Sequence, residues 1–219
     1  MCNFFSALII DKNKKCLWDS CIDSHSELVA KFKLDDTTTS PKFVRVELTP
    51  PHYTVDAFKN PESWNFKTDQ DLLPDWYDKN IAKNTTIEAV KEFIKDHVFF
   101  DGSHEIKEGR AIFLGSSRAV LRGSSSAVLW ESSSAVLRGS SRAELWGSSS
   151  AELWESSSAV LWESSRAELW GSSRAELWGS SSAVLWESSS AELSDHSVSI
   201  NHKKNEVCVP ENYKVVTHK

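Results

Sequence analysis

Three groups of side chains outside any repeat have types that can do chemistry. His25 follows Asp19 and Asp23 closely enough for an imidazole base and an orienting carboxylate. Asp69, Asp71 and Asp75, in Asp-Gln-Asp-Leu-Leu-Pro-Asp, could converge on a divalent cation. Cys2, Cys16, Cys21 and Cys208 supply thiols. Each group lacks what its chemistry needs. No nucleophile with a supporting motif accompanies His25, and Asp-Ser-His-Ser is ordinary chemistry for the start of a helix. The aspartates lack the glycine and closing glutamate of a calcium loop, so they read as a solvated acidic turn. The cysteines show no C-x-x-C spacing, and His52, His97 and His104 are scattered without ligand spacing. No catalytic set, cofactor or metal is therefore expected. The spacing leaves a Cys16 to Cys21 pairing open, with reduced thiols in a cytosol as the default.

The remaining chemistry is noncovalent and lies between Gly115 and Leu193. Here an eight-residue unit recurs ten times without insertion: Gly or Glu, Ser, Ser, Ser or Arg, Ala, Val or Glu, Leu, then Trp or Arg. Its serines sit in no G-x-S-x-G elbow and read as structural. Trp130, Trp146, Trp154, Trp162, Trp170, Trp178 and Trp186 fill the last place of seven units, and Arg142, Arg166 and Arg174 stand at the fourth place. These are the candidate binding residues, because Trp and Arg are enriched at interface hot spots.

What must position them is a strand. The second Ser, the Ala and the Leu never vary and sit two residues apart, so an extended chain points all three to one side. The variable places, such as Ser126, Val128 and Trp130, point to the other, and the Gly or Glu with the first Ser makes a corner. A helix fails this test, since eight residues at about 100° each carry the Leu round by about 80° per unit and build no stripe. Regular Ala, Leu, Val and Trp also argue against disorder. Units that cannot bury a face alone bury it by stacking, which predicts a β-solenoid.

Like charges stacked about 4.8 Å apart repel, and this sets the coil. Two units per coil place Glu152 over Glu168, Glu176 over Glu192 and Arg122 over Arg138. Three per coil stack Arg118, Arg142 and Arg166, then Glu144, Glu168 and Glu192, and add Glu152 on Glu176, Glu131 on Glu155 and Glu163 on Glu187. The smaller conflict predicts two units, sixteen residues, per coil. Five coils make a rod about 24 Å long.

The predicted fold is thus mainly β, an octapeptide-repeat β-solenoid over 107–194 with a small α+β domain at 1–106 and a cap or tail at 195–219. In the small domain, 3–10 and 15–18 read as a hairpin about the polar turn Asp11 to Lys14. Ser24 and Glu27 read as a capping box for a helix through Leu28, Val29 and Phe32. Residues 42–49 read as a half-buried strand ended by Pro50 and Pro51, and 86–98 as a helix with Ile87, Val90, Phe93, Ile94 and His97 on one face. Trp64 and Trp76 are expected to close this domain's core against the solenoid. Lys107 to Leu114 reads as a degenerate first unit with Ala111 and Phe113 in the Ala and Leu places. In the tail, 206–209 and 213–216 read as short strands, and Lys203, Lys204, Lys214 and Lys219 guard an edge.

The early Asp-Ser-His-Ser, the Phe-Val-Arg-Val-Glu strand and Asp-Gln-Asp-Leu-Leu-Pro-Asp-Trp-Tyr, followed by octapeptides, resemble an uncharacterised family of bacteriophage and gut-bacterial proteins. The resemblance spans nearly the whole chain; it implies a phage or prophage origin and a solenoid, and carries over no activity. The octapeptide rhythm and inward Ser are also similar to the sixteen-residue coils of bacterial ice-nucleation proteins, whose outward Thr-x-Thr rows are missing here.

The expected function is a non-enzymatic protein-interaction scaffold in the cytoplasm of a host bacterial cell. It binds a host or phage protein, or itself, through outward Trp, Arg and Glu columns, and inhibition of a host defence factor is one use of such a face. The alternatives are a virion or surface fibre gripping carbohydrate with stacked Trp, and a nucleic-acid mimic. The first meets a short rod and no trimerisation heptad. The second meets a balanced repeat region, with 8 basic against 10 acidic side chains over 107–194. Residues 1–106 carry 13 Lys and Arg against 18 Asp and Glu, so no basic nucleic-acid footprint is present. No apolar run is long enough for a membrane span, and Phe4 to Ile10 lacks the flanks of a signal peptide.

Overall fold

The structure is a computed structural model that describes residues 4–10, 15–36 and 41–202, with the backbone of 207–208 and 216–217. The expected turn at Asp11 to Lys14 and the lysine guard of the tail lie outside these residues. The chain folds as two compact units, Met1–His97 and Val98–Lys219.

In the first unit β1 (Phe5–Ile10), β2 (Lys15–Leu17), β3 (Phe43–Thr49) and β4 (Asn65–Thr68) form an antiparallel sheet in the order β2-β1-β3-β4. The alternation in β3 predicted one buried face. Val44, Val46 and Leu48 are buried, but so are Phe43 and Glu47, because β3 is a central strand covered on both sides. Helix α1 (His25–Lys31) lies over the Phe43 side, where Leu28 packs against Leu8 and Phe43. Its Ser24 has the extended backbone of an N-cap, yet its side chain makes no cap hydrogen bond, so the capping box does not form.

The opposite side is aromatic. Phe4 meets Phe58, Trp64 and Phe93 edge to face, and the Trp64 indole donates to the Ala57 carbonyl at 2.8 Å. Trp64 is thus a core residue of this unit, while Trp76 is half-buried. Helix α2 (Val55–Lys59) supplies Phe58. Helix α3 (Lys79–His97) supplies Ile87, Val90 and Phe93, and it starts a full turn or more before the apolar periodicity does. Asp78 explains the early start, its carboxylate accepting from the amides of Asn80 and Ile81 at 2.9 and 3.0 Å.

The second unit is a parallel β-solenoid of sixteen residues per coil. Its strands are β5 (Val98–Phe99), β6 (Ser103–Ile106), β7 (Arg110–Phe113), then β8 (Arg118–Leu121) through β17 (Ser190–Leu193), one per repeat, and β18 (Val198–Asn201), β19 (Val207–Cys208) and β20 (Val216–Thr217). Even-numbered strands stack in one eight-stranded sheet and odd-numbered strands in the other. Ala127 pairs with Ala143 and Leu129 with Leu145, the register that the charge argument selects. The tolerated like-charge contacts are present too, with Glu152 beside Glu168 and Glu176 beside Glu192.

The expected boundary at 106/107 falls inside this solenoid, because β5 and β6 already pair in parallel with β7 and β8. Eight strands at about 4.8 Å make the rod about 34 Å long, longer than the ten units alone. The degenerate first unit keeps step, Ala111 lying on Ala127 and Phe113 on Leu129. Toward the far end Ser199 and Asn201 take the Ala and Leu places of β18, so polar side chains enter the column one strand before its terminal strand β20.

Inside, the Ala and Leu columns form one continuous core from Ala111 to Leu193. The invariant Ser is buried in every unit, and in most its hydroxyl answers a corner: Ser133, Ser165 and Ser189 each donate to the carbonyl three residues back, at 2.6 to 2.8 Å, whereas the hydroxyls of Ser141, Ser173 and Ser181 meet no partner among the described residues. A buried carbonyl at a turn needs such a donor, which explains why Ser and not Ala stands there.

Candidate interaction surface

The outward side chains sort into three settings: corner, rim and face. At the corners Gly115, Glu131, Gly147, Glu163, Gly179 and Asp195 alternate along one stack, and the other runs Gly123, Gly139, Glu155, Gly171, Glu187, so that no corner acid follows another in either. Glu131, Glu155, Glu163 and Glu187 adopt φ between 56 and 62°, a left-handed backbone that costs a non-glycine residue about 1–3 kcal/mol. Each places a carboxylate oxygen on the amide of the glycine sixteen residues earlier. Glu131 reaches Gly115 at 2.7 Å, Glu155 reaches Gly139 and Glu163 reaches Gly147 at 2.9 Å, and Glu187 reaches Gly171 at 2.8 Å. Asp195 repeats the contact on Gly179 at 3.1 Å. A Cβ at Gly139, Gly147 or Gly171 would lie 3.0 Å from the carbonyl oxygen of the corner one coil before, whether that corner is Gly123 or a Glu, so the crowding comes from the coil stacking itself. The sequence reading missed this ladder, although its signal was visible: every corner acid has a glycine sixteen residues upstream.

Beside the corners stand the Trp rims, in two columns as expected from the coil length. Trp130, Trp146, Trp162 and Trp178 stack at 4.9 to 5.3 Å with planes within 16° of parallel. Trp154, Trp170 and Trp186 stack at 5.2 and 4.8 Å. The second column is closed by Arg138, whose guanidinium lies 5.9 Å from the Trp154 ring, and by His202, stacked on Trp186 at 4.0 Å. The ring faces are thereby used on one another, leaving edges outward. The indole nitrogens of Trp146, Trp154 and Trp186 are buried without an acceptor among the described residues.

The faces carry the fourth and sixth places of the unit. On the odd-numbered sheet Arg110, Arg142 and Arg174 run along one side and Glu144, Glu176 and Glu192 along the other, with Ser126 and Ser158 or Val128 and Val160 between them. These residues line an open groove of about 620 Å³. On the even-numbered sheet Glu152, Arg166, Glu168 and Val184 line a second groove of about 360 Å³, which extends to the exposed Val198 and Ile200. Of the candidate binding residues, the structure brings Arg142 and Arg174 into one groove and Arg166 into the other. No Trp lines either groove.

The candidates of the first unit do not assemble as their spacing suggested. Asp19 pairs with Lys31, not with His25. His25 instead faces Asp69 at 3.5 Å, and Asp71 and Asp75 stand apart and exposed. Lys67, hydrogen-bonded to Asp69 at 2.6 Å, holds that carboxyl below its usual range. Cys16 and Cys21 are both free thiols, and burial pushes the Cys16 pKa up to about 12 against a hydrogen bond with Thr86 that lowers it. A thiol so protonated at neutral pH is a poor nucleophile. Among the described residues no helix is long and apolar enough to cross a membrane. Comparison of the chain with protein-family models, with curated proteins and with solved structures finds no match.

Proposed function

We propose that the solenoid is a non-enzymatic interaction scaffold whose outward columns bind a protein. The observation that carries this reading is the division of the coil: the inward Ser, Ala and Leu are constant, while the face positions change between Arg and Ser or Glu and Val without disturbing the register. A surface free to vary over a fixed core is what a repeat scaffold offers a partner. The grooves suit an extended, charged segment, with cations along one side and carboxylates along the other. On the resemblance set out above, the partner is a host or phage protein in the bacterial cytoplasm, and self-association uses the same columns. Stacking takes up the Trp faces that a sugar ring would need, which weighs against the fibre alternative.

The test uses residues found at the same place of other units, Arg at the last place in the neighbouring column and Ser at the fourth place in the same column. Replacing Trp146 and Trp162 by Arg, or Arg142 and Arg174 by Ser, should leave circular dichroism and melting close to the parent. In pull-down from bacterial lysate and in sedimentation, loss of capture in the Arg pair assigns the groove and loss in the Trp pair assigns the rim. A parent chain that captures nothing and stays monomeric, or folded variants that keep every interaction, would sink the scaffold reading.

A further inference from the structure

The first unit holds a cluster that no spacing along the chain announces, because its members come from three elements. Glu47 lies in the middle of β3, directly opposite Lys67 of β4. Asp69 follows two residues later on the same side of that strand, its amide still bonded to the Arg45 carbonyl at 2.9 Å. Helix α1 brings His25 over this side. One ligand atom each from His25, Glu47 and Asp69 lies within 4.8 Å of the others.

We propose that His25, Glu47 and Asp69 bind a divalent transition-metal ion, with zinc the best match to one imidazole and two carboxylates. The histidine carries the argument. Its Nε2 lies 3.1 Å from the Val46 carbonyl oxygen, which only accepts, so Nε2 bears the hydrogen. In the neutral ring Nδ1 is then a lone pair, and it faces Asp69 Oδ2 at 3.5 Å. That separation is long for a hydrogen bond. It is close to the 3.4 Å, about, that separates two ligand atoms each bonded at about 2.1 Å to a tetrahedral ion.

The surroundings have the form of a metal site's supporting shell. A ligating histidine characteristically donates its other N–H to a backbone carbonyl, as His25 does. Lys67 binds Asp69 through Oδ1 at 2.6 Å, leaving Oδ2 toward the imidazole. His25 and Glu47 are 4% and 3% exposed, which fixes two ligands, whereas the Asp69 and Lys67 side chains are 38% and 59% exposed and open a path for the ion. Lys67 Nζ also stands 3.8 Å from Glu47 Oε2, so its ammonium competes with a metal for the same carboxylates. The rival arrangement is an imidazolium of His25 within an ion-pair cluster. The two differ in what removing Lys67 does.

The experiment titrates the full untagged chain, stripped with chelator, with zinc by calorimetry and with cobalt by visible absorption. One ion should bind per chain, with cobalt bands free of thiolate charge transfer. Glu47→Gln and Asp69→Asn should each weaken binding on the order of 10- to 100-fold. Lys67→Met should keep or tighten it, since it removes a competing cation. Because Asp69 and Lys67 are partly exposed, those two variants serve even if Glu47→Gln fails to fold. Absence of binding at millimolar zinc would overturn the proposal, as would affinity unchanged in Asp69→Asn.

Discussion

Glu163 shows how one corner residue reconciles two opposed demands. Its φ of 58° favours glycine, yet its carboxylate bonds the Gly147 amide of the preceding coil at 2.9 Å, a charge-assisted contact of about 1.5–3 kcal/mol. The strain and the bond offset each other to within their uncertainty, which accounts for a position that accepts either Gly or Glu. Two substitutions separate the terms. Glu163→Ala keeps the left-handed backbone and loses the bond, and should destabilise the solenoid by about 1–3 kcal/mol. Glu163→Gly loses the bond but also the strain, and should stay within about 1 kcal/mol of the parent. Equal melting temperatures for the two variants would show that the left-handed backbone costs a side chain nothing here, and an Ala variant as stable as the parent would show that the carboxylate contact contributes nothing. Composition at each place was legible in the repeats, but this contact was not, because reading it requires the coil length first and the sign of φ second.

At the scale of elements, the repeat strands were legible because ten copies expose which places tolerate change. The first unit has one copy of everything. Helix α3 was read late because Asn80, Asn84, Thr85 and Thr86 are poor helix formers, and the structure shows Thr85 and Thr86 bonding back to the Ile81 and Ala82 carbonyls instead. Strand β4 and helix α2 are too short for periodicity to speak. The His25 cluster escaped for a different reason, since tertiary pairing of β3 with β4 sets it. The inside-outside assignment of the repeat strands makes its own prediction. Leu153 is fully buried and lies between Leu137 and Leu169, so Leu153→Asp should cost several kcal/mol by stranding a carboxylate in the core. Glu144 faces solvent, and Glu144→Ser should change stability by no more than about 0.5 kcal/mol. Chemical denaturation distinguishes them, and comparable midpoints would contradict the assignment.

The solenoid as a whole is close to one-dimensional, each coil contacting only the coils on either side, so its length should be adjustable in whole coils and not in half coils. Deleting residues 131–146 removes one coil. It brings Gly147 over Gly115 and Glu155 over Gly123, so no corner acid meets another, and it lays Trp162 on Trp130 and Arg122 beside Trp154. Deleting 139–146 removes half a coil. Every later strand then changes sheet, Glu155 lands over Glu131, and the polar strand β18 moves from one stack to the other. The shorter deletion should therefore be the more damaging: the whole-coil variant should retain a cooperative transition near the parent's, while the half-coil variant should melt several degrees lower or fail to fold. Thermal denaturation followed by circular dichroism, with Trp fluorescence reporting the two columns, reads both. If the half-coil deletion melts at or above the whole-coil deletion, register is held by the inward Ser, Ala and Leu alone, which are identical in every unit, and the placing of each corner acid over a glycine has no part in selecting it.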